Sequence, residues 1–347
     1  MAISTETDPV VLTPEEAVKV IAIKLPFDLQ DRLLAFPFLH QIRERYKNAE
    51  IHFITPKHNI EVLNLLPFKA YYHEFDEDEI KTVFDVHPFT ANAKIFNVDI
   101  FISLTNSFVD ACLGLGLRAK KRLGFSDGWK TLILTHKTSR PRGHHVTEDY
   151  FALYRELIGA DVNTKLKVMS RDLNPVITDW DSLPYIAINL APLRSATIED
   201  ELVELINYFE NQRIILFASE DQEKFQLLLE PFLAKLSKKN IIIHFIYPSW
   251  IELGRMLAYA RGVITFNGPL ASLSAYVGSK TVVLYDSEDP QRHGPFYFLA
   301  DSMILGVSDP TLVNSTPQVG LFKDRKRFDM AEVFAKAFDF FKLVINR

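Results

Sequence analysis

The chain runs twice through the same alternation of short apolar, β-branched segments and helical patterns. That repetition bounds the fold more tightly than any other feature. In the first series, residues 18–24 (VKVIAIK), 51–54 and 98–104 (VDIFISL) predict strands, with a weaker one at 70–73. Helical patterns fall at 29–46, 60–66, 108–115 and 146–158, the last closed by Gly159. In the second series, residues 185–190 (YIAINL), 213–217 (RIILF), 241–245, 263–266 and 281–285 predict strands. Helices are expected at 199–209, 220–236, 250–260 and 269–277. Strands that are apolar on both faces and separated by helices imply parallel sheets with crossover connections.

Between the two series, residues 161–183 are polar, with Pro175 inside and Pro184 just after, and read as an interdomain linker. A final amphipathic helix is expected at 330–344, with Phe334, Phe338, Phe341 and Val344 at helical spacing. It either packs back on the first domain or forms a plain surface helix of the second. The expected division is therefore a tail (1–17), a first Rossmann-like domain (18–165), a linker (166–184), a second Rossmann-like domain (185–328) and a C-terminal helix (329–347). Two doubly wound domains would face a cleft, and ligands of such sheets sit beyond the carboxyl ends of the strands.

Composition narrows the class. The 347 residues suit two domains better than one. No apolar run reaches the roughly 18 residues of a membrane span. Residues 1–16 are polar and acidic, without the basic and apolar regions of a signal peptide. The single cysteine, Cys112, excludes an internal disulfide and a cysteine-rich metal site. These features predict a cytoplasmic protein. A net charge of −5 gives no overall attraction to nucleic acid, and none is expected as a partner.

The most informative stretch is 262–295, GVITFNGPLASLSAYVGSKTVVLYDSEDPQRHGP. It resembles glycosyltransferase family 9, the ADP-heptose:lipopolysaccharide heptosyltransferases. That family has a strand, a turn like N-D-S-G-P-M-H, a helix ending in Gly, a second strand and T-D-P-x-R-T-G-P. The matching positions are Val263, Ile264, Asn267, Gly278, the 281–284 strand, Asp289, Pro290, Arg292, Gly294 and Pro295, without a gap. Residues 31–37 (DRLLAFP), 104–108 (LTNSF), 121–125 (KRLGF), His145 with Val146, Tyr150 and Leu153, and 249–260 (SWIELGRMLAYA) resemble further family segments in the same order. Two of them look closest to the heptosyltransferase II branch. The resemblance spans roughly 18–296 and implies the GT-B architecture.

It also implies chemistry. The family is an inverting, metal-independent one that moves a sugar from a nucleotide-sugar, here ADP-sugar, to an anionic glycolipid or glycan acceptor. No cofactor is implied, and peripheral contact with the inner membrane is expected. Asp31 falls at the family's catalytic base; by position alone it serves equally as a helix-start Asp facing the macrodipole. Asn267, Gly268 and Pro269 form a strand-to-helix turn whose free N–H groups suit a diphosphate, or an ordinary cap. Arg194, Glu220 and Ser272 complete the expected nucleotide-sugar site, although Glu220 reads equally as a solvated helix-start acid. Arg292 reads as a phosphate contact or a loop-ordering residue. The basic run 118–142 includes Lys120, Lys121 and Arg122, the expected acceptor contacts, or else it is a solvated face. Two D-x-D letter matches, Asp76–Asp78 and Asp179–Asp181, lie in an acidic run and in the linker, and no metal site is expected.

The chain departs from the family pattern where the donor would bind. Gln30 replaces the Gly before the base, and the loop 24–31 is one residue longer. Asn267 replaces an Asp, Gly268 and Pro269 replace Ser/Thr and Gly, and Ser272 replaces a His. Residues 190–193 (LAPL) replace H-P-G-A, and the Lys that follows it has no counterpart beyond Arg194. Each lost charged hydrogen bond is worth about 1.5–3 kcal/mol. Either the donor differs, or the chain is a degenerate relative that binds a nucleotide, glycan or protein partner without turnover. The retained Asp31 favours catalysis.

Overall fold

The structure, a computed structural model, describes residues 17–140, 144–159, 249–285 and 290–294, the strands 185–189, 213–217, 241–244 and 302–306, and positions 15, 203, 206–207 and 234–236. The N-terminal tail, the linker and the C-terminal helix expected at 329–347 lie outside the described residues, apart from the tail's last positions, as do most of the helices expected at 199–209 and 220–236.

The first half contains β1 (Val20–Lys24), α1 (Leu29–Leu34), α2 (Phe36–Arg45), β2 (Glu50–Pro56), a 3₁₀ helix (Ile60–Leu65), β3 (Tyr71–Phe75), α3 (Val83–Ala93), β4 (Ile100–Ser103), α4 (Phe108–Gly116), β5 (Lys121–Phe125), a second 3₁₀ helix (Gly128–Leu132), β6 (His136–Thr138) and α5 (Val146–Ile158). The second half contains β7 (Tyr185–Asn189), β8 (Arg213–Phe217), β9 (Ile241–His244), α6 (Trp250–Tyr259), β10 (Gly262–Phe266), α7 (Pro269–Tyr276), β11 (Thr281–Tyr285), α8 (Pro290–His293) and β12 (Ser302–Gly306).

The strands form two six-stranded sheets, ordered β3-β2-β1-β4-β5-β6 and β12-β11-β10-β7-β8-β9. Every pairing is parallel. Counted within its own half, each sheet has the same order, 3-2-1-4-5-6, so each is doubly wound. Each reverses its winding beside its first strand, between β1 and β4 and between β7 and β10. Ligand crevices of such sheets open at these points. This is the GT-B arrangement of two Rossmann-like domains.

The single helix expected at 29–46 is two helices. Ala35 closes α1 through its N–H to the Asp31 and Arg32 carbonyls, and α2 restarts with Pro37 in its first turn. Proline has no N–H to donate to a continuing helix, and it suits a helix start. The sequence reading omits α3, whose interior holds Pro88, and the strands β5, β6 and β12. The edge strand β6 is His-Lys-Thr, too polar and short to signal a buried strand.

An apolar seam joins the halves. One continuous cluster includes Leu33, Phe36 and Leu63 from the first half and Leu253, Leu270 and Tyr276 from the second. The Phe36 and Tyr276 rings meet edge to face, with centroids 4.9 Å apart. The Tyr276 hydroxyl donates to the Leu65 carbonyl at 3.2 Å and lies 2.9 Å from His40 Nε2. With the hydroxyl proton spent on Leu65, His40 is the donor to Tyr276. Burial lowers the His40 pKa to about 4, which keeps the ring neutral.

Helix α4 packs closely on β4 because position 114 has no side chain. A Cβ there would lie 2.6 Å from the fully buried Phe101 ring. Gly114→Ala is expected to destabilise the protein by about 1–3 kcal/mol through overpacking. Thermal or urea unfolding checks this, and an unchanged midpoint would show that α4 can shift freely.

Candidate active site

A cavity of about 570 Å³ opens at the carboxyl ends of β1 and β4. The loops after these strands form its floor, and Asp31, Asp110, Arg140, Tyr150 and Arg292 reach into it. It therefore lies at the switch point of the first sheet, with α8 of the second half on one side.

Asp28 caps α1: its carboxylate accepts from the Asp31 N–H at 3.0 Å. Asp31 thus stands in the first turn and faces the cavity. Burial raises the pKa of its carboxyl, and the neighbouring Asp28 raises it further; His293, Arg140 and Arg292 oppose the shift. The loop before α1 is fixed by Arg32, which is fully buried. Its guanidinium donates to the carbonyls of Phe27 at 3.1 Å and His58 at 3.0 Å, with longer contacts to Pro26 and Asn59. Burial lowers its pKa to about 10.

Lys24 ends β1 inside the cavity and is 2% exposed. It donates to the Leu25 carbonyl at 3.1 Å, lies 3.7 Å from an Asp110 oxygen and sits 4.2 Å from the Phe75 ring centre. Burial lowers its pKa to about 8 against the pull of Asp110. Arg140 stacks on Phe125 at 4.2 Å and lies 3.9 Å from Asp149.

Lys120, Lys121 and Arg122, the expected acceptor contacts, stand away from this cavity. Lys121 and Arg122 open β5, and in a parallel sheet that is the edge opposite the carboxyl ends. Lys120 pairs with Asp99 at 2.7 Å, and Asp99 also accepts from the Lys19 and Val20 N–H groups at the start of β1. Arg122 donates to the Ile133 and Ala119 carbonyls, both at 2.8 Å. Among the described residues, the Lys and Arg side chains that line the cavity are Lys24, Arg140 and Arg292.

Across the cleft, Asn267, Gly268 and Pro269 lead from β10 into α7. Gly268 has φ 144° and ψ −168°, a region essentially closed to residues with a Cβ. Ser272 is buried in α7, and its hydroxyl has no hydrogen-bond partner among the described residues. Arg194 and Glu220 lie outside the described residues.

Three side chains stitch the halves together around this point. Gln30 Nε2 donates to Asn267 Oδ1 at 3.1 Å and to the His293 carbonyl at 2.7 Å. Arg292 donates to an Asp149 oxygen at 2.7 Å and to the His144 carbonyl at 2.8 Å, so it acts as an ordering residue rather than a free phosphate contact. His145 caps α5 through Nδ1, which accepts from the Thr147 N–H at 3.1 Å; its Nε2–H donates to the Gly294 carbonyl at 2.6 Å. Asp110 and Asp149 are site residues that sequence reasoning missed; Gln30 appears in the sequence only as a departure from the family pattern, and Arg140 only as part of the basic run. Lys24 carried a legible signal, a charge closing an otherwise apolar strand.

A sequence model of glycosyltransferase family 9 (heptosyltransferase) matches residues 93–308. The chain belongs to glycosyltransferase family 9. As a family 9 protein it is a glycosyltransferase that takes its sugar from a nucleotide-sugar. Solved structures share its fold. The family 9 glycosyl transferase from Veillonella parvula superposes with a TM-score of 0.73 at 16% identity, covering 96% of this chain and 99% of that one. Escherichia coli ADP-heptose heptosyltransferase II gives 0.67 at 15%, covering 94% and 99%. Escherichia coli heptosyltransferase WaaC with ADP-2-deoxy-2-fluoro heptose gives the same values. No curated protein sequence matches the chain at the same stringency.

The stitches make two predictions. The His145 pKa is lowered from 6.5 to about 4, chiefly by burial. Below pH 6.5 the unfolded ring takes up a proton that the folded ring refuses until about pH 4. The stability that His145 contributes is therefore full above pH 6.5 and lost as pH falls toward 4. His145→Asn keeps a capping oxygen and should flatten this part of the melting-temperature profile. An unchanged slope would assign it to other groups. Arg292→Ala leaves the 1%-exposed Asp149 side chain without its nearest cation. The expected cost is about 3 kcal/mol, the low end for a buried pair because Arg292 is itself partly exposed. Chemical denaturation measures it, and a loss below about 1 kcal/mol would mean that Arg140 suffices.

Proposed function

We propose that this family 9 protein is an inverting, metal-independent transferase that moves a heptose or similar sugar from an ADP-sugar to an anionic lipopolysaccharide-core or related glycan acceptor. Asp31 is the base. The observation that carries this reading is the position of the Asp31 carboxyl on a cavity at the switch point, facing α8 and next to the Asn267 turn through Gln30.

The acceptor hydroxyl would lie in the cavity beside Asp31. Asp31 takes its proton as the oxygen attacks the anomeric carbon, and the bond to the diphosphate breaks on the opposite face. Configuration inverts in this single displacement. The leaving diphosphate takes the bonding electrons, and the start of α7 at Asn267–Pro269 stabilises its charge. Arg194, Glu220 and Ser272 are the further donor contacts. Lys24 and Arg140 are the acceptor-side cations, and they suit a phosphate or carboxylate on the acceptor. An acceptor anchored in a membrane would place the protein at the cytoplasmic face of the inner membrane. The ADP-sugar assignment draws on the WaaC structure, whose ligand is an ADP-heptose analogue.

The test is ADP release from ADP-heptose in the presence of deacylated lipopolysaccharide core. Asp31→Ala is expected to lower kcat by about a hundred- to ten-thousand-fold with ADP binding unchanged by calorimetry. The base must be ionised, so activity falls as pH drops through the Asp31 pKa. Burial puts that fall above the ordinary 3.8. Arg140→Gln removes a charge that holds this pKa down and should move the fall further up. Full activity of the Asp31 variant would remove Asp31 from the mechanism. ADP binding without transfer in the wild-type protein would favour the degenerate reading.

A further inference from the structure

Gln30 is the second residue of α1, one position before Asp31, and is 9% exposed. A carboxamide nitrogen has two N–H groups. Both are spent across the cleft, on Asn267 Oδ1 and on the His293 carbonyl. The first acceptor sits in the turn that starts α7, and the second sits at the end of α8. One side chain therefore joins the helix that carries the base to two segments of the other half. Gln30 and Asn267 are also two of the positions at which the sequence leaves the family pattern, and the two departures meet each other.

We propose that Gln30 is a positioning residue for the transfer: it fixes the separation between the Asp31 carboxylate and the Asn267 turn. This rests on the reading of Asp31 as base and of the turn as the diphosphate site. The physical demand is alignment. The attacking oxygen, the anomeric carbon and the leaving oxygen come from groups held by different halves, and a misplacement of about 1 Å can cost on the order of a hundredfold in rate. Arg292 and His145 tie the 290–294 segment to α5 and the residues before it. Gln30 ties that segment and the turn to α1, where the base stands.

The chemistry of the contact selects the variants. Gln30→Glu has nearly the same shape but no N–H. Asn267 can turn its amide to donate to a carboxylate, whereas the His293 carbonyl has nothing to donate and is left facing one. Gln30→Ala removes the bridge without adding charge. Asn267→Asp keeps an acceptor for the Gln30 N–H and tests whether that bond is the link.

The experiment combines hydrogen–deuterium exchange over 262–276 and 290–294 with steady-state ADP release from ADP-heptose and deacylated lipopolysaccharide core. Gln30→Glu and Gln30→Ala are expected to speed exchange in both segments at least about threefold. They should lower kcat about tenfold or more, the worth of a lost hydrogen bond or two. KM for ADP-heptose should move much less, because the donor's own contacts remain. Asn267→Asp should keep exchange at the wild-type rate, whatever it does to turnover. Unchanged exchange in Gln30→Glu, an unchanged kcat, or equal loosening in Asn267→Asp would each overturn the proposal. A wild-type protein that releases no ADP would remove the transfer reading, and the exchange comparison alone would then decide whether Gln30 joins these segments.

Discussion

The arrangement at the cleft depends on a buried carboxylate. The Asp149 side chain is 1% exposed, and its nearest cation, Arg292 at 2.7 Å, comes from the other half of the molecule. Taking a carboxylate out of water costs several kcal/mol unless it is paired and hydrogen-bonded. Within the first half Arg140 stands 3.9 Å from Asp149 Oδ2, and that oxygen gains its closest cation only when α8 lies against α5. That placement presents the His293 carbonyl to Gln30 and the Gly294 carbonyl to His145. It also brings Arg292 and His293 close enough to Asp31 to moderate its pKa.

The polar stitches set the register of the halves, while apolar burial supplies most of the cohesion. The cluster running from Leu33 and Phe36 to Leu270 and Tyr276 is non-directional, and many relative placements would bury similar area. The His40–Tyr276–Leu65 chain admits few, because each donor and acceptor must find its partner inside the seam. Arg32 works in the same way within the first half. It collects carbonyls from two loops and holds the approach to α1 in one shape.

Much of the fold was legible because parallel, doubly covered strands announce themselves as apolar runs. Tyr185–Asn189, Arg213–Phe217 and Thr281–Tyr285 were readable from composition alone. The misses share causes. Proline inside α3 breaks the expected helical pattern, and β6 is an edge strand with no apolar face to betray it. At the site, Asp31 and the Asn267 turn stood out through the family resemblance; their places at strand-to-helix junctions alone are equally those of ordinary helix starts. Arg292 and Asp149 are 143 positions apart, and no local pattern reports such a pair. The place of the basic run at Lys120–Arg122 was not legible, because charge along a chain does not say which edge of a sheet it occupies. It falls at the start of β5, so its partners are Asp99 and the carbonyls of Ala119 and Ile133.

The identical winding of the two sheets has a thermodynamic consequence. Each switch point alone offers half a crevice, and a ligand that spans the cleft touches both. Its binding free energy is therefore added to the cohesion between the halves, an increment of about 2.7 kcal/mol at a hundredfold excess over Kd. A substrate of this kind acts as a removable crosslink. The halves are held most firmly together while the ligand is bound, and they lose that increment when the products leave.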